Sequence, residues 1–404
     1  MSEQSMPRVI IVGGGIGGLT AALAFHAFGW KVDVLERAPE LSEVGAGIQI
    51  SPNGMKVFRA LGVEDQIAQN AFQPTALEMR FGRSGRQIFQ IEARQAIYER
   101  WGAPYLHLHR ADLVATLTDL LLARQPASVH LNAVCDSYEN IGDSVRATLA
   151  SGDILEANLL VGADGIHSAI RRQMLGPDRP NFTGNTAWRA VVPMEQLGDL
   201  APPPTACIWV GSRKHAVTYR LRGGTLANFV GIVESDDWTS ESWTEAGTKE
   251  QVLSDFAGWH PVVTNLIENA EAHYRWALFD RKPLDQWVDG RAVLLGDACH
   301  PTLPFQAQGA VMAIEDAYLL AMLCSDDQYD MAEALDLYFK TRLPRTSSVQ
   351  AASRGNAKLF HRRTPLSRAM TYGPMWVAGK IAPGIIRSQQ DPFYAYDVRE
   401  EPLR

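Results

Sequence analysis

Continuous apolar runs mark four segments of the chain as buried strands. The first run, Arg8–Val12, leads through glycines into a helical pattern at Leu19–Phe25, and a second run follows at Lys31–Leu35. Two further runs begin at Leu159 and Val293, and each ends in a turn that contains Gly and Asp. Strands that are buried on both faces have this pattern when helices cover both sides of a parallel sheet. The pattern predicts an α/β fold with a central parallel sheet.

A different pattern occupies residues 182–274, where apolar and polar residues alternate between turn residues. Alternation indicates strands with one buried face, as in an antiparallel sheet. The predicted strands are Thr186–Val192, Ala206–Val210, His215–Leu221 and Leu226–Val233. From about Arg345 onward the pattern is helical, with breaks at prolines. The expected fold class is therefore α/β, with a parallel-sheet domain, an antiparallel-sheet domain and C-terminal helices.

The composition is that of a soluble globular protein. Of the 404 residues, 46% are hydrophobic and 21% are charged, and the formal net charge is −7. An acidic chain without a long Lys/Arg run is a poor partner for nucleic acid or for an anionic membrane. No apolar run reaches the ~18 residues of a transmembrane helix, and residues 1–7 show no signal pattern. Free thiols in a reducing cytoplasm are expected, because no C-x-x-C pair occurs among Cys135, Cys207, Cys299 and Cys324.

The first glycine-rich turn fits a dinucleotide-binding motif. Gly13 permits a tight turn, Gly15 lets the backbone approach a pyrophosphate, and Gly18 lets the helix pack on the strand. Gly17, in the same turn, is a further cofactor-binding candidate. The helix N-terminus provides N–H groups for the pyrophosphate. Glu36 ends the second strand, where it can accept hydrogen bonds from ribose hydroxyls and disfavours a 2′-phosphate. NADP is therefore not expected at this site, and the motif leaves FAD and NAD open.

The other two buried strands end in acidic turns that favour a flavin. Asp297 can accept a hydrogen bond from a ribityl hydroxyl. The N-terminus of a helix predicted to begin near Gly309 and Ala310 can stabilise negative charge at N1–C2=O of a reduced flavin. Asp164 precedes Gly165 and is a candidate for nucleotide binding, although an aspartate before glycine is also a plain turn residue.

Together, the G-x-G-x-x-G, D-G and G-D-A-x-H-P segments resemble those of the class A flavoprotein monooxygenases, the para-hydroxybenzoate hydroxylase-like family. The resemblance covers about Arg8 to Leu343. It implies a Rossmann-like FAD-binding domain with one tightly held FAD. It also implies transient use of NADH or NADPH as cosubstrate without a second Rossmann domain, and a C4a-hydroperoxyflavin that transfers oxygen to an aromatic ring.

The same resemblance extends to further cofactor residues. Arg110 lies in a segment similar to the family's H-R-x-D-L motif, whose arginine is near the flavin and pyrophosphate. Gln49 ends the segment Glu43–Gln49, which resembles the chain that passes beside the isoalloxazine ring. The backbone at Cys135 is expected near the adenine, and Arg37 is expected beside Glu36 at the nucleotide.

His215 and Tyr219 are the predicted catalytic pair. They lie four residues apart on one predicted strand, so their side chains point to the same face. The strand resembles the one in family members that hydroxylate 3-hydroxybenzoate or 6-hydroxynicotinate, where the pair binds and deprotonates the ring hydroxyl. Histidine can accept this proton near neutral pH, and tyrosine can hydrogen-bond the developing oxyanion. The alternative is two ordinary filled positions in a sheet.

The resemblance therefore implies an FAD-dependent single-component monooxygenase that hydroxylates a small hydroxylated aromatic or heteroaromatic carboxylate. Salicylate, 3-hydroxybenzoate and 6-hydroxynicotinate are the expected substrate types. Two alternatives remain open, a hydroxylase of a larger ring and a non-catalytic FAD-binding redox protein. No metal is expected, and a homodimer is possible.

The expected domains are discontinuous in sequence. Residues 1–75, 104–180 and 276–345 are predicted to form the FAD-binding domain. Residues 76–103 and 181–275 are predicted to form the substrate-binding domain, and residues 346–404 a C-terminal helical region.

Overall fold

The computed structural model describes residues 6–41, 47–178, 180–235 and 245–401. The strands within these ranges are β1 (Arg8–Val12), β2 (Lys31–Leu35), β3 (Gly47–Ile50), β4 (Ala76–Phe81), β5 (Gln87–Glu92), β6 (Leu106–His109), β7 (Val129–His130), β8 (Cys135–Ile141), β9 (Ser144–Leu149), β10 (Ile154–Ala157), β11 (Leu159–Gly162), β12 (Asn181–Pro193), β13 (Ala206–Val210), β14 (Lys214–Leu221), β15 (Leu226–Glu234), β16 (Glu245–Ala246), β17 (Tyr274–Asp280), β18 (Val288–Asp289) and β19 (Ala292–Leu294).

The helices of the same ranges are α1 (Ile16–Ala27), α2 (Pro52–Ala60), α3 (Glu64–Ala68), α4 (Gln95–Trp101), α5 (Arg110–Arg124), α6 (Ala169–Leu175), α7 (Lys249–Asp255), α8 (Pro261–Glu268), α9 (Gly309–Cys324), α10 (Met331–Phe360), α11 (Pro365–Ile381), α12 (Pro383–Ser388) and α13 (Asp391–Tyr394). Among the described residues, none of these helices is both long and apolar enough to cross a membrane.

The first large sheet is the predicted parallel one. Its strand order is β18-β19-β11-β1-β2-β7. All neighbours from β19 to β7 pair in parallel, and only β18 is antiparallel. The apolar runs form its buried centre, since Val9, Ile10 and Ile11 are fully buried. Because the strands are parallel, the turns after β1, β11 and β19 meet at one edge, which is where ligands bind in such sheets.

The second large sheet has the order β16-β17-β12-β15-β14-β13-β4-β5. Its pairs are antiparallel, as predicted, except that β13 and β4 are parallel. This exception arises because β4 comes from a distant part of the chain. The fold class is confirmed. A three-stranded sheet (β10-β9-β8) and a β3–β6 ribbon complete the strand arrangement of the described residues.

The domain assignment of these segments stays a prediction, and two elements cross its boundaries. Strand β17 continues in the large sheet to Asp280, beyond the expected boundary at 275. Helix α10 runs from Met331 to Phe360 across the expected boundary at 345.

Candidate active site

The turn from β1 to α1 requires glycine at two positions for steric reasons. Gly13 has φ +111°, and a Cβ there would lie 2.4 Å from the carbonyl oxygen of Ala163. A Cβ on Gly18 would lie 1.9 Å from the carbonyl oxygen of Gly13. At Gly15, by contrast, no atom of the described residues lies within 4 Å of a Cβ position, so the backbone borders open space at the helix N-terminus. A phosphate group can use that space and the adjacent N–H groups.

A second helix N-terminus lies at the same edge of the sheet. A Cβ on Gly17 would lie 2.9 Å from Leu295 and 3.1 Å from Ala313, so this glycine lets α1 approach α9 closely. Helix α9 begins at Gly309, and both Gly309 and Ala310 are partly exposed. Two helix N-termini therefore direct partial positive charge to the edge where the strands β1 and β19 end.

Glu36 holds the loops at the end of β2. Its carboxylate accepts hydrogen bonds from the backbone N–H of Gly14, at 2.7 Å, and of Ala38, at 2.9 Å. Its carbonyl oxygen accepts a hydrogen bond from Ala133 N, which brings the segment before Cys135 to this end of the cleft. Arg37 is exposed beside it.

Asp164 acts as a turn residue through one carboxylate oxygen, and its other oxygen has no hydrogen-bond partner among the described residues. Its Oδ2 accepts hydrogen bonds from Ala169 N and Ile170 N at the start of α6. Its Oδ1 is buried and has no hydrogen-bond partner among the described residues. Burial, and then the negative charge of Asp164, raise the pKa of Cys135 to about 12.

Asp297 lies in the deep part of the cleft with Arg110. The side chain is exposed to solvent, yet the surrounding protein desolvates it and raises its pKa, while His300 and Arg110 oppose that rise. A carboxyl group that lines a narrow cleft has both properties. Gly296, just before it, has φ +64° and donates a backbone hydrogen bond to Asp316.

These residues fit a bound FAD. The open space at Gly15 suits the pyrophosphate, Glu36 is placed for a ribose, and Asp297 is placed for the ribityl chain. Each group has the donor or acceptor character that its part of the cofactor requires.

Tyr219 meets the β3–β6 ribbon. The centroid of its ring lies 4.8 Å from that of His107 on β6, and a Cβ on Gly47 would lie 2.6 Å from its Oη. On β3, Gln49 Oε1 accepts a hydrogen bond of 2.5 Å from Tyr105 Oη. The structure thus brings Gln49 and Tyr219 to one ribbon, while Glu43–Ala46 lie outside the described residues.

Polar groups around Tyr219 are left without partners. Nδ2 of Asn228 is buried and has no hydrogen-bond partner within the described ranges, and neither buried ring nitrogen of His107 makes a hydrogen bond of good geometry there. Burial lowers the pKa of His107 to about 3, against a weaker contact with the Arg220 backbone, and burial raises the pKa of Tyr219, so both are neutral at pH 7. Buried polar atoms are normally paired, and unpaired ones often mark a place where a ligand binds.

His215 lies at the other end of this face of β14. Its ring is 5.3 Å from Phe305 and 5.1 Å from Phe360, centroid to centroid. Its Nδ1 is 2.7 Å from Nε2 of His361, whose Nδ1 is 3.5 Å from Oε1 of Glu234. Burial, and then His361, hold the pKa of His215 well below 6.5. The ordinary histidine pKa expected from sequence is therefore not the one that the folded protein has.

The two catalytic candidates share a face of β14, and their ring contacts are with different residues, His107 for Tyr219 and Phe305, Phe360 and His361 for His215. Four residues of strand separate their Cα atoms by about 13 Å, enough for one aromatic ring between the side chains. Two surface cavities, of about 580 and 680 Å³, lie elsewhere on the large sheet and include none of the predicted site residues.

Sequence reasoning missed three polar residues of this region, His107, Asn228 and His361. The alternation in Leu106-His-Leu-His109 was a usable signal for His107, since it predicts a strand just before Arg110. No local pattern points to His361, which is 146 residues from His215.

Comparisons with known proteins agree with this geometry. The FAD binding domain family matches residues 6–353. A 3-amino-4-hydroxybenzoate 2-monooxygenase of Streptomyces platensis is 38% identical over 88% of this chain and 89% of that protein. A 3-hydroxybenzoate 6-hydroxylase of Aquipseudomonas alcaligenes is 38% identical over 86% and 88%. The crystal structure of Klebsiella pneumoniae HpxO with FAD and uric acid has a TM-score of 0.83 and 28% identity, and the match covers 95% of this chain and 96% of that one.

The chain therefore belongs to the FAD binding domain family. Its cofactor is FAD, and its class is that of the FAD-dependent aromatic monooxygenases.

Proposed function

We propose that this protein hydroxylates a small aromatic or heteroaromatic carboxylate that already carries a ring hydroxyl, using NADH or NADPH and O₂. The observation that carries the proposal is the arrangement on β14. His215 and Tyr219 are buried on one face, about 13 Å apart along the strand, with unpaired polar atoms of His107 and Asn228 at the Tyr219 end.

The proposed roles follow from the state of each side chain. Bound FAD would supply the activation of O₂, with the nicotinamide cosubstrate as the reductant. His215 is neutral and accepts the proton of the ring hydroxyl at Nε2, because Nδ1 faces His361. Tyr219 Oη donates a hydrogen bond to a substrate oxygen, as does Asn228 Nδ2. Removal of the hydroxyl proton places negative charge on the ring, and this favours electrophilic attack on a ring carbon.

The proposed FAD contacts are those that surround the cleft, namely Gly13, Gly15, Gly17, Gly18, Glu36, Arg37, Gln49, Arg110, Cys135, Asp164, Asp297, Gly309 and Ala310. We assign the phosphates to the α1 N-terminus, the ribityl chain to Asp297, and the charged edge of the reduced flavin to the α9 N-terminus.

The substrate is proposed from the relatives that are named above. Their printed substrates, 3-amino-4-hydroxybenzoate and 3-hydroxybenzoate, each combine a ring hydroxyl with a carboxylate. The same two groups occur in 6-hydroxynicotinate and salicylate, which we keep as candidates. Attack at the carboxylate-bearing carbon would release CO₂ from either of these two, whereas 3-hydroxybenzoate would keep its carboxylate.

The test is NADH oxidation in air by the purified FAD-loaded protein, with each of the four acids in turn. We expect strong stimulation by at least one acid and formation of a hydroxylated product. Benzoate is the matched control, since it lacks the hydroxyl and should give no hydroxylated product. If none of the four acids stimulates NADH oxidation, the proposal is contradicted, and a substrate with a larger ring or a non-catalytic flavoprotein is favoured.

Two coarser features complete the proposal. We place the protein in the cytoplasm, where the four cysteines, which are all unpaired, would stay reduced. We also propose a homodimer. Helix α11 exposes large apolar side chains that a second copy could cover, namely Leu366, Met370, Val377 and Ile381.

A further inference from the structure

Two buried histidines and a carboxylate form a continuous line from the proposed substrate face to the surface. His215 Nδ1 is 2.7 Å from His361 Nε2, and His361 Nδ1 is 3.5 Å from Glu234 Oε1. The exposed fractions of the side chains rise along this line, with His215 and His361 buried and Glu234 15% exposed. Glu234 Oε2 is in turn 3.0 Å from Arg213 and 2.8 Å from Arg363, which are both exposed.

The geometry restricts where the protons are. In a contact of 2.7 Å between two neutral imidazoles, one nitrogen must donate and the other must accept. A proton on His361 Nδ1 faces the Glu234 carboxylate favourably, whereas a lone pair there would face a negative charge. The carboxylate therefore favours a proton on Nδ1 of His361, which leaves Nε2 as the acceptor. His215 must then donate from Nδ1, and its Nε2 is left with a free lone pair.

We propose that Glu234 and His361 are positioning residues which fix the tautomer of His215 and carry its proton from the substrate to the surface. The inference rests on the proposed function, since His215 is taken as the group that accepts the ring hydroxyl proton.

The proton movement is balanced at every step. The substrate O–H bond breaks as a bond to His215 Nε2 forms, and the Nδ1–H bond of His215 breaks as one to His361 Nε2 forms. The Nδ1–H bond of His361 then breaks as the proton passes to Glu234 and on to water. Before the product leaves, return of a proton along the same line resets both rings. Glu234 returns a proton to Nδ1 of His361, the Nε2 proton of His361 passes to Nδ1 of His215, and the Nε2 proton of His215 passes to the oxyanion of the bound product.

The surroundings explain why a line of groups is needed. The ring of His215 contacts Phe305, Phe360 and His361, and none of these can neutralise an imidazolium. Burial lowers the pKa of His361 to about 4, while Glu234 favours a positive charge on it and Arg363 opposes one. Neither ring can keep a second proton at neutral pH, so each ring must pass one proton on as it accepts another, and the line ends at the half-buried carboxylate.

The first experiment reads the tautomers directly and needs no substrate. The FAD-loaded full chain is labelled with ¹⁵N-histidine, and the two rings are assigned in NMR spectra through His215→Gln and His361→Gln. We expect both rings to be neutral at pH 7 with the proton on Nδ1. A proton on Nε2 of His361 would overturn the proposal, because that nitrogen could not then accept from His215.

The second experiment measures proton release when 3-hydroxybenzoate is mixed with the oxidised enzyme, by stopped flow with a pH indicator in weak buffer. His361→Gln keeps a hydrogen-bonding group next to His215 but cannot carry a proton. We expect it to slow release about tenfold or more, with a smaller loss in Glu234→Gln. In His361→Ala, added imidazole should restore part of the rate. His273→Gln is the matched control, because His273 is also buried but its ring hydrogen-bonds the Ile267 carbonyl and does not contact His215.

The outcomes separate the two proposals. If the wild type releases a proton and His361→Gln releases it at the same rate, the relay is overturned and the proposed function remains intact. If all four acids fail to stimulate NADH oxidation, the proposed function fails, and the tautomers found by NMR still decide whether Glu234 and His361 set the state of His215.

Discussion

His215 and His300 are both almost fully buried, but their surroundings put them in opposite protonation states. His300 lies under the cofactor cleft, with Nε2 at 2.5 Å from Asp316 Oδ2. Burial opposes its charge, but Cys299 and Asp316 outweigh burial and hold its pKa well above 6.5. Within the described part of the chain no carboxylate contributes to the pKa of His215, so burial and His361 keep it neutral. The comparison shows that burial alone does not decide the charge of a histidine, and that the nearest partner does.

The two regions use this difference in different ways. Around His300 the charges are paired, since Arg342 binds Asp316 Oδ1 at 2.6 Å and Glu315 Oε2 at 2.7 Å. Asn53 on α2 donates a further hydrogen bond to Glu315, so the network joins α2, α9 and α10 behind the cleft. Around His215 and His107 the polar atoms are neutral or unpaired, and they remain able to respond to a ligand. The first region has the paired charges of a structural network, and the second is the one that we propose for proton transfer.

The largest effect is expected from breaking the paired region. Arg342→Met leaves two buried carboxylates without their main cation, so we expect a loss of about 3–5 kcal/mol in the free energy of unfolding. Urea denaturation of the FAD-loaded protein measures it. Arg100→Met is the control, because its ion pair with Asp391 is partly exposed and should contribute at most about 1 kcal/mol. Equal losses in both variants would refute the distinction between the regions.

A smaller effect, on rate rather than on stability, is expected in the unpaired region. His215→Gln keeps a polar side chain of similar volume but removes the base, so kcat should decrease about 10²-fold. FAD content and the free energy of unfolding should change little, since His215 makes no ion pair. Steady-state kinetics and the flavin absorbance give both readings. Loss of FAD together with kcat would show that His215 supports the fold instead.

The two regions should affect the pH dependence of the free energy of unfolding in opposite directions. The unpaired region should lower stability at acid pH (the acid limb), and the paired region should lower it at alkaline pH (the alkaline limb). His107 and His361 have folded pKa values of about 3 and 4, below the unfolded value of about 6.5. The unfolded chain therefore binds more protons, and stability decreases as the pH drops from about 6.5 towards 4, by at most about 1.4 kcal/mol per pH unit for each histidine. His300 has the opposite sign. Its raised folded pKa means that stability decreases as the pH rises above about 6.5.

Urea denaturation between pH 4.5 and pH 8 tests both limbs. His300→Gln should remove the alkaline limb and leave the acid limb, whereas His361→Gln should weaken only the acid limb. A stability profile that either variant changes at both ends would mean that the two regions are not independent.

The sequence predicted the local parts of this arrangement well. The turn at Gly13 and the buried runs of β1, β2, β11 and β19 depend on neighbouring residues, and the structure has them where they were expected. The strands β12–β15 followed from alternation for the same reason. Because Asp164 precedes a glycine, its turn role was also foreseeable, and it does cap α6.

The non-local parts could not be predicted in this way. The contact between His215 and His361 joins a strand to the end of α10, across 146 residues. The parallel pairing of β4 with β13 depends on the path of the chain between them. The pKa of His215 depends on how completely Phe305 and Phe360 cover it. Each of these properties is set by tertiary packing, which a single sequence pattern does not contain.

The smallest effect is expected from a substitution of His107, in the region with unpaired polar atoms. His107 is fully buried, and among the described residues neither of its ring nitrogens makes a hydrogen bond of good geometry, the Arg220 backbone being a weak contact. His107→Phe replaces it with an apolar ring of similar shape, so we expect the free energy of unfolding at pH 7 to rise by about 1 kcal/mol. If the unpaired nitrogens serve the substrate, the same variant should raise KM for the aromatic acid. A stabilised enzyme with unchanged KM would assign His107 to packing alone. If His107→Phe is instead less stable than the wild type, the unpaired region contributes to stability more than its hydrogen bonds indicate, and the two regions differ less in this respect.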